Sequence, residues 1–206
     1  MITSLIILLP VLVGLLLWHQ LPEQIPVHFN SEGVADSYQS KLWGVTFIYL
    51  VIFACHWFAA IITSVDPRRR NISSKIYRLV LWICPVISVF EGVTIYGTAL
   101  NWPWVNINFM AHLLLGVIFI VIGNYLPKCR QNYTVGIKVP WTLASEANWD
   151  ATHRMAGKLW VAGGVLILLL AIQPWIPAFP LSMVLILAVT FIPMIYSFVY
   201  YLRNEK

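Results

Sequence analysis

Charge is scarce in this sequence. Asp, Glu, Lys and Arg make up 10% of its 206 residues, against 60% hydrophobic residues, where a soluble domain carries about 25% charged residues. That shortage excludes an ordinary water-soluble domain, and the apolar residues fall in long blocks that read as one membrane bundle. Cysteine is also sparse: Cys55, Cys84 and Cys129 have no CxxC spacing, which excludes a disulfide scaffold and a thiolate metal site. There is no HExxH, GxSxG, Walker A or HD-type metal cluster, and Ser, His and Asp are scattered. An enzyme is therefore not expected, and no cofactor is called for. No low-complexity tract or clear internal repeat appears, which argues against an inverted-repeat transporter. The opening MITSLIILLPVLVGLLLW lacks a basic leader and a small-residue cleavage site, so it reads as a retained span rather than a removed signal.

Six segments have the length and apolarity to cross a bilayer: Ile2 to Trp18, Leu42 to Thr63, Leu79 to Leu100, Ile107 to Leu126, Leu159 to Gln173 and Leu181 to Leu202. The expected fold is an all-α membrane protein, a six-transmembrane-helix bundle forming a single domain over 1–206. Twelve of the 13 Lys and Arg residues fall on one side of this layout: Arg68, Arg69, Arg70, Lys75, Arg78, Lys128, Arg130, Lys138, Arg154, Lys158, Arg203 and Lys206. Basic loops stay in the cytoplasm, so both termini are expected there, with Lys41 alone outside. Trp18, Trp43, Trp102, Trp104 and Trp175 fall at outer edges and Trp82, Trp141 and Trp160 at inner ones, as an aromatic belt requires. Clustered beside hydrophobic runs, the cations suit membrane lipids rather than nucleic acid.

Two loops exceed mere connectors. Residues 19–41 form a structured extracytoplasmic loop, with extended backbone around Pro22 and Pro26 and turn chemistry at Asn30, Ser31 and Gly33. His28 and Asp36, with His19 and Glu32 nearby, are the only groups here suited to a metal; no standard ligand spacing connects them, so structural hydrogen bonding is the reading. Residues 127–158 form a basic cytoplasmic loop. Trp149, His153, Ala156 and Trp160 recur at helical spacing, predicting an interfacial helix over Glu146 to Trp160 before the fifth span. Arg154 and Lys158 share another face of that helix, and Gly136 marks a demanded turn. Lys128, Arg130, Asn132, Trp149, His153, Arg154 and Lys158 are the candidate partner-binding residues; the plainer reading has the cations on lipid phosphates and the tryptophans as anchors.

GNYLPKCRQNYTVGIKVPWTLASEANWDATHRMAGKLWVAGG, Gly123 to Gly164, resembles the signature of the SdpI family of bacterial membrane immunity proteins. LPEQIPVHFNSEGVADSY, Leu21 to Tyr38, similarly resembles the extracytoplasmic module at that family's N-terminus. The resemblance implies location in the bacterial cell membrane and protection against a secreted peptide toxin that damages membrane energetics. It also implies recruitment of a small helix-turn-helix repressor to the cytoplasmic face, with the basic inner loop as the dock.

Polar residues inside the spans supply the alternative. Glu91 shares a helical face with Ser88, Thr94 and Thr98, while Tyr49, His56 and Thr63 recur every seven residues and Asn108, His112 and Gly116 every four. Convergence of these stripes would make Glu91 a proton carrier with His56 or His112 as partner, in a small proton-coupled transporter or exporter. Interhelical hydrogen bonding is the competing role, at about 0.6 kcal/mol per contact.

Overall fold

The computed structural model describes residues 2–173 and 178–204. Trp175, Lys206 and most of the last loop lie outside the described residues. The elements are α1 (Ile2–Leu16), β1 (Gln24–Phe29), β2 (Ala35–Ser40), α2 (Lys41–Ser64), α3 (Ser74–Ala99), α4 (Ile107–Tyr125), α5 (Pro140–Ala144), α6 (Glu146–Ile172) and α7 (Ala178–Asn204). Single 3-10 turns cover Arg69–Asn71 and Leu126–Lys128.

Five segments are long and apolar enough to cross a membrane: α2, α3, α4 with its following turn, α6 and α7, at 24, 26, 22, 27 and 27 residues. At 1.5 Å per residue each exceeds the roughly 30 Å hydrocarbon layer. Aliphatic runs form such helices because, without water, the backbone must satisfy its own polar groups. Their outward faces are greasy: Phe58, Ile61, Leu166, Leu169 and Ile195 are all exposed. Helix α1 has only 15 residues, but helical turns continue beyond it, with Leu17 N–H donating to Val13 C=O at 2.9 Å and Leu21 N–H to Leu17 C=O at 3.0 Å.

The chain divides into two compact units, one of Met1–Ile61 with Arg78–Leu114, the other of Ile62–Tyr77 with Leu115–Lys206. In the first, Leu21, Ile25, Val45, Tyr49, Ile95 and Tyr96 form the core. Helix α1 contains Pro10, and hydroxyls of α3 reach carbonyls beside it. Ser88 Oγ donates to Ile7 C=O at 2.7 Å and the Tyr96 hydroxyl to Pro10 C=O at 2.9 Å. Such side-chain partners are what make proline tolerable in an apolar helix.

Residues 24–40 correct the all-α expectation. They form an antiparallel hairpin, Gln24 facing Ser40 and Phe29 facing Ala35. Asn30 Oδ1 accepts from the N–H groups of Glu32 and Val34, both at 3.0 Å, and Gly33 turns the chain with φ +79°. The second strand, ADSYQS, is mostly exposed, so it lacks the apolar alternation that betrays a strand.

The second unit supplies the other difference. Where the sequence suggests an interfacial helix and then a separate span, α6 runs unbroken from Glu146 to Ile172. Ser145 caps it, its side chain accepting from Asn148 N–H at 3.2 Å. No proline interrupts it, and two of its internal glycines, Gly157 and Gly164, sit against neighbouring backbone. A Cβ on Gly157 would come 2.7 Å from Gly123 C=O, and one on Gly164 2.7 Å from Gly116 C=O. Gly116 and Gly123 on α4 thus meet Gly157 and Gly164 on α6, two glycines seven apart on each helix, the close approach that membrane helices use to pack.

Candidate functional site

The densest polar construction lies in the second unit, where residues 66–77 and 126–153 are knitted together. Asp66 is its first knot. Its buried carboxylate accepts from Arg68 N–H at 2.6 Å, from Tyr133 N–H at 3.0 Å and from the Thr134 hydroxyl. Gln131 is the second. Its side-chain oxygen accepts from Arg68, and its nitrogen donates to the carbonyls of Thr142 and Leu143 at 2.7 and 2.9 Å, while its backbone carbonyl takes Asn71 Nδ2 at 2.7 Å. Asn132 is the third, buried and folding its own turn: Oδ1 accepts from Thr134 and Val135 N–H at 2.9 and 2.6 Å, and Nδ2 donates to Arg130 C=O at 2.8 Å.

Trp149 and His153 clamp this loop from α6. Both are fully buried, their rings stacked at 4.0 Å. Trp149 Nε1 donates to Cys129 C=O at 2.7 Å. His153 Nδ1 lies 2.8 Å from Trp149 C=O, and its Nε2 accepts from Ile137 N–H at 2.9 Å. One ring nitrogen donates and the other accepts, which fixes a neutral imidazole. Gly136, at φ +122°, brings the backbone over this pair, and a Cβ there would stand 2.5 Å from His153 Nε2. Burial pushes the nearby Cys129 thiol up to about 11.

The seven candidates for partner binding therefore separate into two groups. Asn132, Trp149 and His153 face inward, their polar atoms spent on loop backbone, because a loop this short cannot cover its own amides without them. Lys128, Arg130, Arg154 and Lys158 remain exposed. Beside Arg130 a polar cleft of about 280 Å³ is lined by Asn71, Gln131, Glu146 and Asp150. Further side-chain bonds brace the segment: Trp141 Nε1 donates to Ser197 Oγ, and Asn148 Nδ2 to Ser197 C=O at 3.0 Å.

The first unit holds the remaining candidates. His28 Nδ1 and Asp36 Oδ1 pair across the exposed hairpin at 2.5 Å. Among the described residues no three His, Cys, Asp or Glu side chains gather as a metal would need. His56 Nε2 lies 3.3 Å from Thr3 Oγ1, and His112 Nδ1 2.6 Å from Asn108 C=O. Glu91 instead lines a cavity with Gln39. Among the described residues no hydrogen bond joins any two of Glu91, His56 and His112, and the hydroxyls on the Glu91 face bond to backbone: Thr94 to Phe90 C=O at 2.9 Å and Thr98 to Thr94 C=O at 2.8 Å.

Residues 128–201, from the knitted loop through α6 and most of α7, match the SdpI/YfhL protein family. The SdpI/YfhL segment thus holds Gln131, Asn132, Gly136, Trp149 and His153. Residues 5–53, which include the hairpin, match a domain of unknown function, DUF1648. Over 97% of its length the chain is 25% identical to the immunity protein SdpI of Bacillus subtilis (strain 168), covering 94% of that protein. No solved structure matches the chain.

Sequence reasoning did not single out Asp66, Gln131 as a knot, or the glycine seam. Asp66 had a signal: it is an acid in a segment otherwise rich in arginine, next to Pro67. The seam had one too, in the shared seven-residue spacing of Gly116 and Gly123 and of Gly157 and Gly164.

Proposed function

We propose that this chain is a membrane immunity protein that protects its bacterium against a secreted peptide toxin and relays the toxin's presence by drawing a small helix-turn-helix repressor to the membrane. The observation that carries the reading is the likeness to the immunity protein SdpI along 97% of the chain, together with the SdpI/YfhL match over 128–201. The likeness supports membrane immunity at the level of the family, which is one of immunity proteins rather than enzymes.

In this account α1, with the turns that prolong it, is a sixth span, and both termini lie in the cytoplasm. The hairpin within residues 19–41 is extracytoplasmic and meets the toxin. Residues 127–158 are cytoplasmic, and the start of α6 emerges at the membrane interface. What supports the dock is a contrast: an interior fixed by Asp66, Gln131, Asn132, Trp149 and His153, and an exterior bearing the exposed cations Lys128, Arg130, Arg154 and Lys158. A rigid base presenting cations suits an acidic protein partner, because little ordering entropy is lost on binding. The same cations contact anionic lipid when no partner is present, and direct nucleic-acid binding has no part in the account.

The relay is tested by imaging a fluorescently tagged repressor in toxin-treated cells. The native chain should move it to the membrane, and replacing Lys128, Arg130, Arg154 and Lys158 with alanine should leave it in the cytoplasm at unchanged levels of inserted protein. Undiminished membrane localisation in the quadruple variant would remove the patch as the dock.

A further inference from the structure

Beneath the hairpin, in the first unit, is a cavity of about 410 Å³ walled by β1, β2, α2 and α3. Its lining is mostly apolar, with Val27, Phe47, Ile87 and Ile95 among the walls, and Gln39 and Glu91 supply polar side chains. Trp43 and Phe47 meet edge to face at 5.6 Å and are both half-exposed, so aromatic surface flanks the opening. The hairpin is seated closely over it: a Cβ on Gly44 would stand 2.5 Å from Ile25.

Glu91 has no counter-charge among the described residues. Among the described residues no hydrogen bond or ion pair engages its side chain, although Ser88 and Thr94 stand on the same helix face. The cation on this part of the chain, Lys41, is spent: its ammonium lies 2.8 Å from Glu23 Oε1 and 3.3 Å from Trp18 C=O. An acid within an apolar span needs a partner, and an apolar cavity with a few convergent polar groups is the usual form of a small-molecule site.

We propose that this cavity binds a protonated amine carried on an apolar body. The ammonium pairs with the Glu91 carboxylate, the Gln39 amide offers a second hydrogen bond, and the body lies against Trp43 and Phe47, whose ring faces also favour a cation. The amine of a lipid headgroup and the amine of a peptide both have this chemistry. The assignment stands apart from the immunity reading, since it rests on the unpaired acid and the cavity alone.

The test uses the full chain in phosphatidylcholine nanodiscs, titrated calorimetrically with 2-phenylethylammonium and with the neutral 2-phenylethanol, each corrected by empty nanodiscs. The amine should bind saturably and at least tenfold more tightly than the alcohol. Glu91→Gln should abolish that preference, and Ile87→Trp, which narrows the cavity while keeping the acid, should weaken the amine by a similar factor. Equal binding of amine and alcohol to the native chain, or no saturable binding of the amine, overturns the proposal without reference to any variant. Replacing phosphatidylcholine with phosphatidylethanolamine, or adding a short lysine-containing apolar peptide, identifies the natural source by which one displaces the amine; displacement by neither overturns the proposal.

Discussion

The carboxylate of Asp66 accepts the backbone N–H of Tyr133 at 3.0 Å, joining two loops that lie 67 residues apart in the chain. The same carboxylate holds Arg68 N–H and the Thr134 hydroxyl, so one buried acid fixes the mutual position of both loops. A hydrogen bond to a charged group contributes about 1.5–3 kcal/mol. Asp66→Ala should therefore destabilise the detergent-purified protein by about 3 kcal/mol and expose residues 129–139 to protease, with Asp66→Asn retaining part of the loss. Melting and cleavage curves that overlay those of the native chain would show that the knot is dispensable.

The His153 and Ile137 contact makes a second demand. Gly136 is both left-handed and without room for a side chain, since a Cβ would meet His153 Nε2 at 2.5 Å. Gly136→Ala should displace the imidazole and strand the Ile137 amide, a cost of about 1–3 kcal/mol from the orphaned donor alone. His153→Phe should cost a similar amount, and the two changes together less than their sum, because both break one contact. Additive losses in thermal unfolding would separate the two sites.

The glycine seam predicts a steric result. Gly164→Leu or Gly123→Leu would push α4 and α6 apart where backbone now lies against glycine, and overpacking of this kind costs about 1–3 kcal/mol. Gly33→Ala, strained by φ +79° and by a Cβ that would stand 3.2 Å from the Asn108 side chain rather than against backbone, should be milder. A seam variant as stable as the native chain in a detergent titration would contradict the packing.

Cys129 carries a chemical prediction. Its thiol is held up to about 11 by burial, so at pH 7–8 it is neutral and hidden from alkylating reagents. Maleimide labelling of the native chain at Cys129 should be slow, and fast after denaturation or in Trp149→Ala. Because the folded value lies above the ordinary 9.0, this group favours the fold fully below pH 9. Its contribution declines as pH climbs from there towards 11. Rapid labelling of the folded chain at pH 7 would mean that the Trp149 clamp opens.

How far the sequence reveals this molecule varies by residue. The apolar helices are plain because composition alone forces them, and Gly136 stands out because only glycine suits such a turn. The hairpin is harder to see: Asn30 and Gly33 announce a turn, but strands as polar as ADSYQS leave no periodic trace. His153 and Trp149 recur at helical spacing, yet spacing does not say which face is buried, nor that the preceding loop folds back over them while Ile72 and Ile76 pack against Trp149 from another part of the chain. Asp66 stands out as an acid beside Pro67 among arginines, but what it holds is legible only with Tyr133 and Thr134 in view. Glu91 attracts notice as an acid within a span, while its cavity depends on a hairpin absent from the periodicity.

Immunity itself is tested most directly by following the membrane potential of a toxin-sensitive strain with a voltage-sensitive dye as purified toxin is added. Cells expressing the native chain should hold their potential at toxin doses that collapse it in cells carrying an empty vector. Collapse at the same dose and rate in both strains, with the chain shown to be in the membrane, would contradict the account.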